Sequence, residues 1–157
     1  MKLLPLPVIL GLAIVAVIFP GRQVRCDEPR SQDRLVGAWR LAQLEEPDAN
    51  GNLQQPECTG LLVFTRDGHI SVQVMYRNPQ TGRPAGPVQY VQGGYEASFG
   101  TYKLNEAAST FTFHVDGAMV RSLIGKDLPR AFELSANLLI VKSTDPNERW
   151  RVTWKRY

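Results

Sequence analysis

From Leu35 to the end of the chain, apolar and polar residues alternate in short runs with a period of two. Over Leu35–Leu44, Trp39 and Leu41 face one way and Arg40 and Ala42 the other. Over His69–Tyr76, Ile70, Val72 and Val74 oppose Ser71 and Gln73. Over Thr110–Val115, Phe111, Phe113 and Val115 oppose Thr110, Thr112 and His114. Over Trp150–Lys155, Trp150, Val152 and Trp154 oppose Arg151, Thr153 and Lys155. This period is that of a strand with one buried face. Gly60–Phe64, Phe99–Asn105, Leu128–Leu134 and Leu138–Lys142 read as further strands, and Ala118–Gly125 fits either a strand or a short helical turn.

Turn residues punctuate these runs. Asp67-Gly68 marks a tight hairpin, Asp116-Gly117 breaks a strand, and Ser135-Ala136-Asn137 and Asp145-Pro146-Asn147 supply the last turns. Glu45–Glu57, with Pro47, Asn50-Gly51 and Pro56, reads as a loop. Arg77–Pro87 is too rich in proline and glycine for either period, and Val88–Ser98 spaces Val88, Val91 and Tyr95 as a short helix would. Together these two segments make a lid or rim, the largest excursion from the strands. The expectation is an all-β, antiparallel barrel of about eight strands, a size whose interior is either filled or holds one small ligand.

The ends of the chain change the picture. Leu3–Phe19 is almost wholly apolar, preceded by Lys2 and closed by Pro20-Gly21. Two readings stand for residues 1–26: a secretory signal peptide cleaved after Cys26, with Val24 and Cys26 as its small residues, or an uncleaved N-terminal anchor. Arg22, Arg25 and Arg30 follow the apolar run, which counts against a simple anchor and also against a signal peptide. A lipoprotein signal is disfavoured by Arg25, which stands where a small residue is needed. Residues 27–34 read as a flexible tail and residues 35–157 as the barrel domain. The expected location is secreted or periplasmic, or membrane-anchored through residues 3–19.

The leader carries three of the eighteen basic residues and none of the fifteen acidic ones, so the domain has fifteen of each. The isoelectric point of about 9.0 therefore belongs to the leader. Without a basic patch the domain is not expected to bind nucleic acid. Cys58 is alone after cleavage at Cys26, or pairs with Cys26 if cleavage falls earlier. Two cysteines and two histidines far apart make no zinc site, and neither a metal nor a cofactor is expected.

Several segments resemble a known family. Leu35-Val36-Gly37-Ala38-Trp39-Arg40-Leu41, Gly60 to Ser71 with its Asp67-Gly68 turn, Phe99-Gly100-Thr101-Tyr102, Thr112 to Val115 and Arg130 to Leu138 look, in that order and spacing, like the lipocalin-like domain family of bacteria and fungi. The resemblance spans nearly all of Leu35 to Arg156. It implies an antiparallel eight- to ten-stranded calycin-type barrel with one short helix or lid loop. It implies no single activity, since such barrels serve as carriers or occasionally as isomerases or cyclases. It also implies that Gly37 and Trp39 are structural, Trp39 packing under a basic residue of the last strand, here Arg151 or Arg156, beside Trp154.

The candidate ligand-binding residues are Arg130, His114, Tyr102, Tyr76 and Gln73. Arg130 shares the face of Phe132 and Leu134, so its planar fork would sit at a pocket mouth and suit a carboxylate; otherwise it is a rim residue paired with Glu133 or Asp127. His114 is exposed if Phe111 and Phe113 point inward. If the faces reverse, it lines the cavity as an acid–base group. His69 reads as a solvated turn residue, and Ser71 and Met75 as further wall groups. No motif for nucleophilic, phosphate or zinc chemistry occurs. Three readings follow: an exported barrel binding a small, largely apolar or amphiphilic molecule with an acidic end, an isomerase or cyclase using His114 and Arg130, and a structural or protein-binding barrel with a filled interior. A membrane enters only through an uncleaved N-terminal segment.

Overall fold

The computed structural model describes residues 31–48, 50–78 and 94–157. The leader and most of the tail, and the greater part of the lid segment, lie outside these residues. What is described is all-β. Strands β1 (Gly37–Pro47), β2 (Leu53–Gln54), β3 (Cys58–Phe64), β4 (His69–Tyr76), β5 (Tyr95–Asn105), β6 (Thr110–Ala118), β7 (Asp127–Leu134), β8 (Leu138–Ser143) and β9 (Arg151–Arg156) follow a helix, α1 (Ser31–Leu35). A short 3-10 turn spans Arg121–Leu123. The strands form one antiparallel sheet in the order β2-β1-β3-β4-β5-β6-β7-β8-β9, closed by pairing of β1 with β9. Eight strands thus make the barrel, and β2 adds a short ribbon at the end of β1, where Glu46 pairs with Gln54.

The alternation read from the sequence sorts side chains to the two faces of the wall. Inward come Leu62 and Phe64, Ile70 and Val74, Phe111, Phe113 and Val115, Leu139 and Val141, and Val152 and Trp154, all buried. At the end where β1 starts, the interior is sealed. Phe64 meets Tyr102 and Phe111 edge to face, with ring centroids 5.0 and 5.5 Å apart, and Phe111 lies 6.3 Å from Phe132. Each such buried side chain contributes roughly 1.5–3 kcal/mol of hydrophobic stabilisation.

Helix α1 stoppers this end. Leu35 and Trp39 are fully buried, and the Trp39 indole donates to Leu35 O at 2.8 Å. Arg156 lies over the Trp39 ring at 4.1 Å, and its guanidinium donates to Val36 O at 3.0 Å and to Arg34 O. The basic residue over Trp39 is therefore Arg156. Arg151 is on the outer face, where its Nε donates to Glu45 at 2.9 Å.

Four expectations are corrected by the backbone. Residues 31–34 are helical where a tail was expected, and Leu35, expected to open the first strand, ends that helix; the strand begins at Gly37, because Val36 N still closes the helix on Gln32 O. That strand runs on through Glu45 and Glu46 to Pro47 instead of ending at Leu44, held by β9 as far as Glu45 opposite Arg151. Tyr95–Ser98 belong to β5, so the expected helix does not extend over them; its start lies outside the described residues. Asp116-Gly117 is a bulge and not a break. The register slips between Phe99 and Gly100, and a side chain at Gly100 would meet His114 O at 2.0 Å, so only glycine allows the strands this close.

Gly37 joins helix to strand at a φ of +133°, and a Cβ there would lie 2.8 Å from Arg156 Nη1. Gly37→Ala is expected to cost roughly 1–3 kcal/mol through backbone strain and displacement of Arg156. Urea denaturation checks this; an unchanged midpoint would show that the seal tolerates a side chain.

Candidate functional site

The opposite end of the interior is polar. Consecutive glutamates on β1 fall on opposite sides of the wall. Glu45 faces out, where it pairs with Arg151 and accepts from Gln43 Nε2 at 2.9 Å and Gln55 Nε2 at 3.1 Å. Glu46 faces in and is only 2 % exposed. A bulge between Leu41 and Gln43 shifts the parity of β1, which puts Leu44 and Glu46 on the buried side.

Glu46 Oε2 accepts a hydrogen bond from the Tyr76 hydroxyl at 2.8 Å. Its Oε1 is buried with no hydrogen-bond partner among the described residues. Burial pushes the Glu46 carboxyl above its ordinary value of 4.5, and the Tyr76 hydrogen bond opposes that only in part. Tyr76 is raised in turn, by burial first and then by the charge of Glu46. Cys58 stands directly across from Tyr76 in the β3–β4 pairing. Burial, reinforced by Glu46, pushes its thiol up to about 12, so it is no thiolate nucleophile near neutral pH. On β5, Glu96 and Ser98 are buried, with Glu96 opposite Val74 on β4. A cleft of about 320 Å³ lies where β1 and β3 part beyond the Arg40–Leu61 pair; Gln43, Gln55, Glu57, Cys58 and Arg77 are among its lining. Cys58 thus borders both the cleft and the interior cluster.

The residues singled out from sequence do not converge. Tyr76 is in the polar cluster. Tyr102 belongs to the sealed end, where its hydroxyl donates to Thr65 O at 3.0 Å. Gln73 lies on the outer face of β4 and accepts from the Tyr95 hydroxyl at 3.2 Å; Ser71 and Met75 share that face. His114 is on the outer face too, with Nδ1 2.8 Å from Asp127 and Nε2 3.7 Å from Asp116. His69, expected in the turn, is the exposed first residue of β4, 3.2 Å from Asp67. Arg130 does share the inner face of β7 with Phe132, half-buried, its guanidinium 5.0 Å from the Trp150 ring and bonded to Pro129 O at 3.0 Å. Its expected rim partners are engaged elsewhere, Glu133 with Lys142 at 2.8 Å and Asp127 with His114. His114 and Arg130 stand on opposite sides of the wall, so they cannot act on one molecule as an acid–base pair.

Glu46, Glu96 and Ser98 were not singled out from sequence. Glu46 fell in a segment read as loop, and the bulge that turns it inward leaves no mark in the residue pattern. Glu96 and Ser98 were legible: stepping back by two from Tyr102 passes through Gly100 to both. Among the described residues, no group of three or more His, Cys, Asp or Glu is placed to hold a metal ion.

A family profile described as a lipocalin-like domain matches residues 36–157. No curated protein matches the chain. Among solved structures, a redesigned beta barrel matches at 14% identity and a TM-score of 0.44, covering 82% of this chain and 96% of that one.

The raised Glu46 carboxyl has a consequence for stability. The folded protein holds this proton more tightly than the unfolded chain, so stability falls as pH rises from 4.5 through the raised value. Glu46→Gln, which cannot ionise, escapes that loss. Its urea midpoint is expected to gain on that of the parent as pH rises from about 4 to about 8; a constant difference would contradict the buried carboxyl. Tyr76→Phe strips Glu46 of its donor and is expected to cost roughly 1–3 kcal/mol near neutral pH by the same measurement, where no loss would contradict the hydrogen bond.

Proposed function

The chain belongs to the lipocalin-like domain family, and on that premise we propose that it is an exported barrel that holds a small, largely apolar molecule in its interior. The observation that carries the reading is the contrast between the ends. One is closed by α1, Trp39 and Arg156. The other presents a buried carboxyl, one oxygen of which has no hydrogen-bond partner among the described residues, beside Tyr76, Glu96 and Ser98. Buried polar atoms left without partners are rare in folded proteins and cluster where ligands or ordered waters complete them. A largely apolar pocket with a few convergent polar groups is the usual form of a small-molecule site.

The apolar run Leu3–Phe19 and its Pro20-Gly21 stop support export, and with it a secreted or periplasmic location. An acidic ligand end met by Arg130 is less well supported than a polar end met by Glu46 and Tyr76, because the Arg130 guanidinium already lies over Trp150. The isomerase or cyclase reading loses its residues with His114 on the outer face.

N-phenyl-1-naphthylamine, a neutral apolar fluorophore, is expected to bind saturably with a blue shift. Ser98→Trp, which fills the interior beside Glu96, is expected to weaken binding about tenfold or more. Met75→Gln on the outer face is expected to leave it unchanged. A signal that never saturates, or that follows Met75 and ignores Ser98, would contradict an interior site.

A further inference from the structure

Residues 119–126 join β6 to β7 at the polar end of the barrel, because β6 runs from Phe111 at the sealed end to Ala118 opposite Ser98. The connection is pinned. Val120 is buried and Leu123 packs on the core. Gly125 N donates to Val115 O at 2.8 Å, and Val115 N to Lys126 O at 3.0 Å. Met119 and Ile124 are nonetheless left 48 % and 43 % exposed. Met119 N donates to Ala97 O at 2.9 Å, and the more exposed Phe99 lies across Gly117, where a Cβ would fall 2.5 Å from its ring. Gly117 and Met119 are two residues apart, so Phe99 and Met119 share the outer face. Arg121 and Lys126 are exposed in the same connection, and residues 117–126 contain no acid. The flanking acids, Asp116 and Asp127, face His114 at 3.7 and 2.8 Å.

We propose that this connection, together with Phe99, docks the barrel on an anionic lipid bilayer. Phe99, Met119 and Ile124 enter the boundary between headgroups and acyl chains, and Arg121 and Lys126 meet lipid phosphates. Apolar side chains interleaved with cations match that boundary on both counts. A second copy seated on the same patch would instead bring two pairs of cations together, with no acid of the patch to offset them. The apolar run Leu3–Phe19, whether it acts as a signal or as an anchor, delivers the chain to a membrane. The inference goes beyond the carrier reading and does not depend on what the interior holds. It sets the polar end of the barrel against the phase in which apolar molecules dissolve.

Lysine acetylation footprinting of the whole chain tests this, because it reads where lipid touches the barrel whatever the N-terminal run does. The vesicles are phosphatidylcholine alone or phosphatidylcholine mixed with phosphatidylglycerol. On the mixed vesicles, acetylation of Lys126 is expected to slow about fivefold or more, and on phosphatidylcholine alone by much less. Lys103 and Lys155, exposed on the outer face toward the sealed end, are expected to react as they do in solution. The double variant Met119→Ser, Ile124→Ser is expected to return Lys126 to its rate in solution, and its lipid-free footprint reports that it is folded. The inference is overturned if Lys126 reacts equally with and without the mixed vesicles. Equal protection on phosphatidylcholine alone, protection shared by Lys103 and Lys155, or protection that survives the double variant overturns it too. Protection that appears without lipid as protein concentration rises would assign the surface to a second copy.

Discussion

Everything inside this molecule depends on one strand lying against two neighbours. β1 pairs with β3 through Gly37–Arg40 and with β9 from Trp39 to Glu45, and so joins the first strand of the meander to the last. Closure removes the free edges that an open sheet would present and encloses a space of the size that side chains fill or one small ligand occupies. The stopper at one end is built from the same strand. Trp39 lies at its start, and Arg156 on its partner β9 binds the ring and the carbonyls of the chain leading into it. Glu46 lies near its other end, inside. The strand that closes the barrel therefore also carries both the seal and the polar group at the opposite end.

That dual role explains why the two ends differ in chemistry. The sealed end satisfies its polar atoms internally: the Trp39 indole, the Arg156 fork and the Tyr102 hydroxyl all reach backbone carbonyls. At the other end, the Tyr76 hydroxyl reaches only one Glu46 oxygen, and the second is left buried. A fold gains nothing from such an atom, since an unmade buried hydrogen bond costs about 1–3 kcal/mol.

The architecture was legible because period-two alternation survives in nearly every strand, and the order of Gly37, Trp39, the Asp67-Gly68 hairpin and Phe99 to Tyr102 is shared by a family. The site was less legible, for a definite reason. A single extra residue in β1 between Leu41 and Gln43 reverses which side chains point inward, and nothing in the residue types announces it. Glu45 and Glu46 look alike in the sequence and do opposite things. Residues that draw attention by their chemistry, His114 and Gln73, went to the outer face, because the alternation that places Phe113 and Val74 inside must place their neighbours outside. Arg130 went inward as its parity required, and its guanidinium lies over Trp150.

The outer wall carries exposed apolar side chains of its own, Met75, Phe99 and Met119, so binding of an apolar molecule is not enough; where it binds decides the matter. The most direct measurement is an NMR titration with N-phenyl-1-naphthylamine in which intermolecular NOEs are assigned. Contacts to Leu44, Val74 and Tyr76 are expected, with Met75, Phe99 and Met119 silent. Contacts confined to those outer side chains would contradict the interior site and leave Glu46 as a buried carboxyl with nothing to bind.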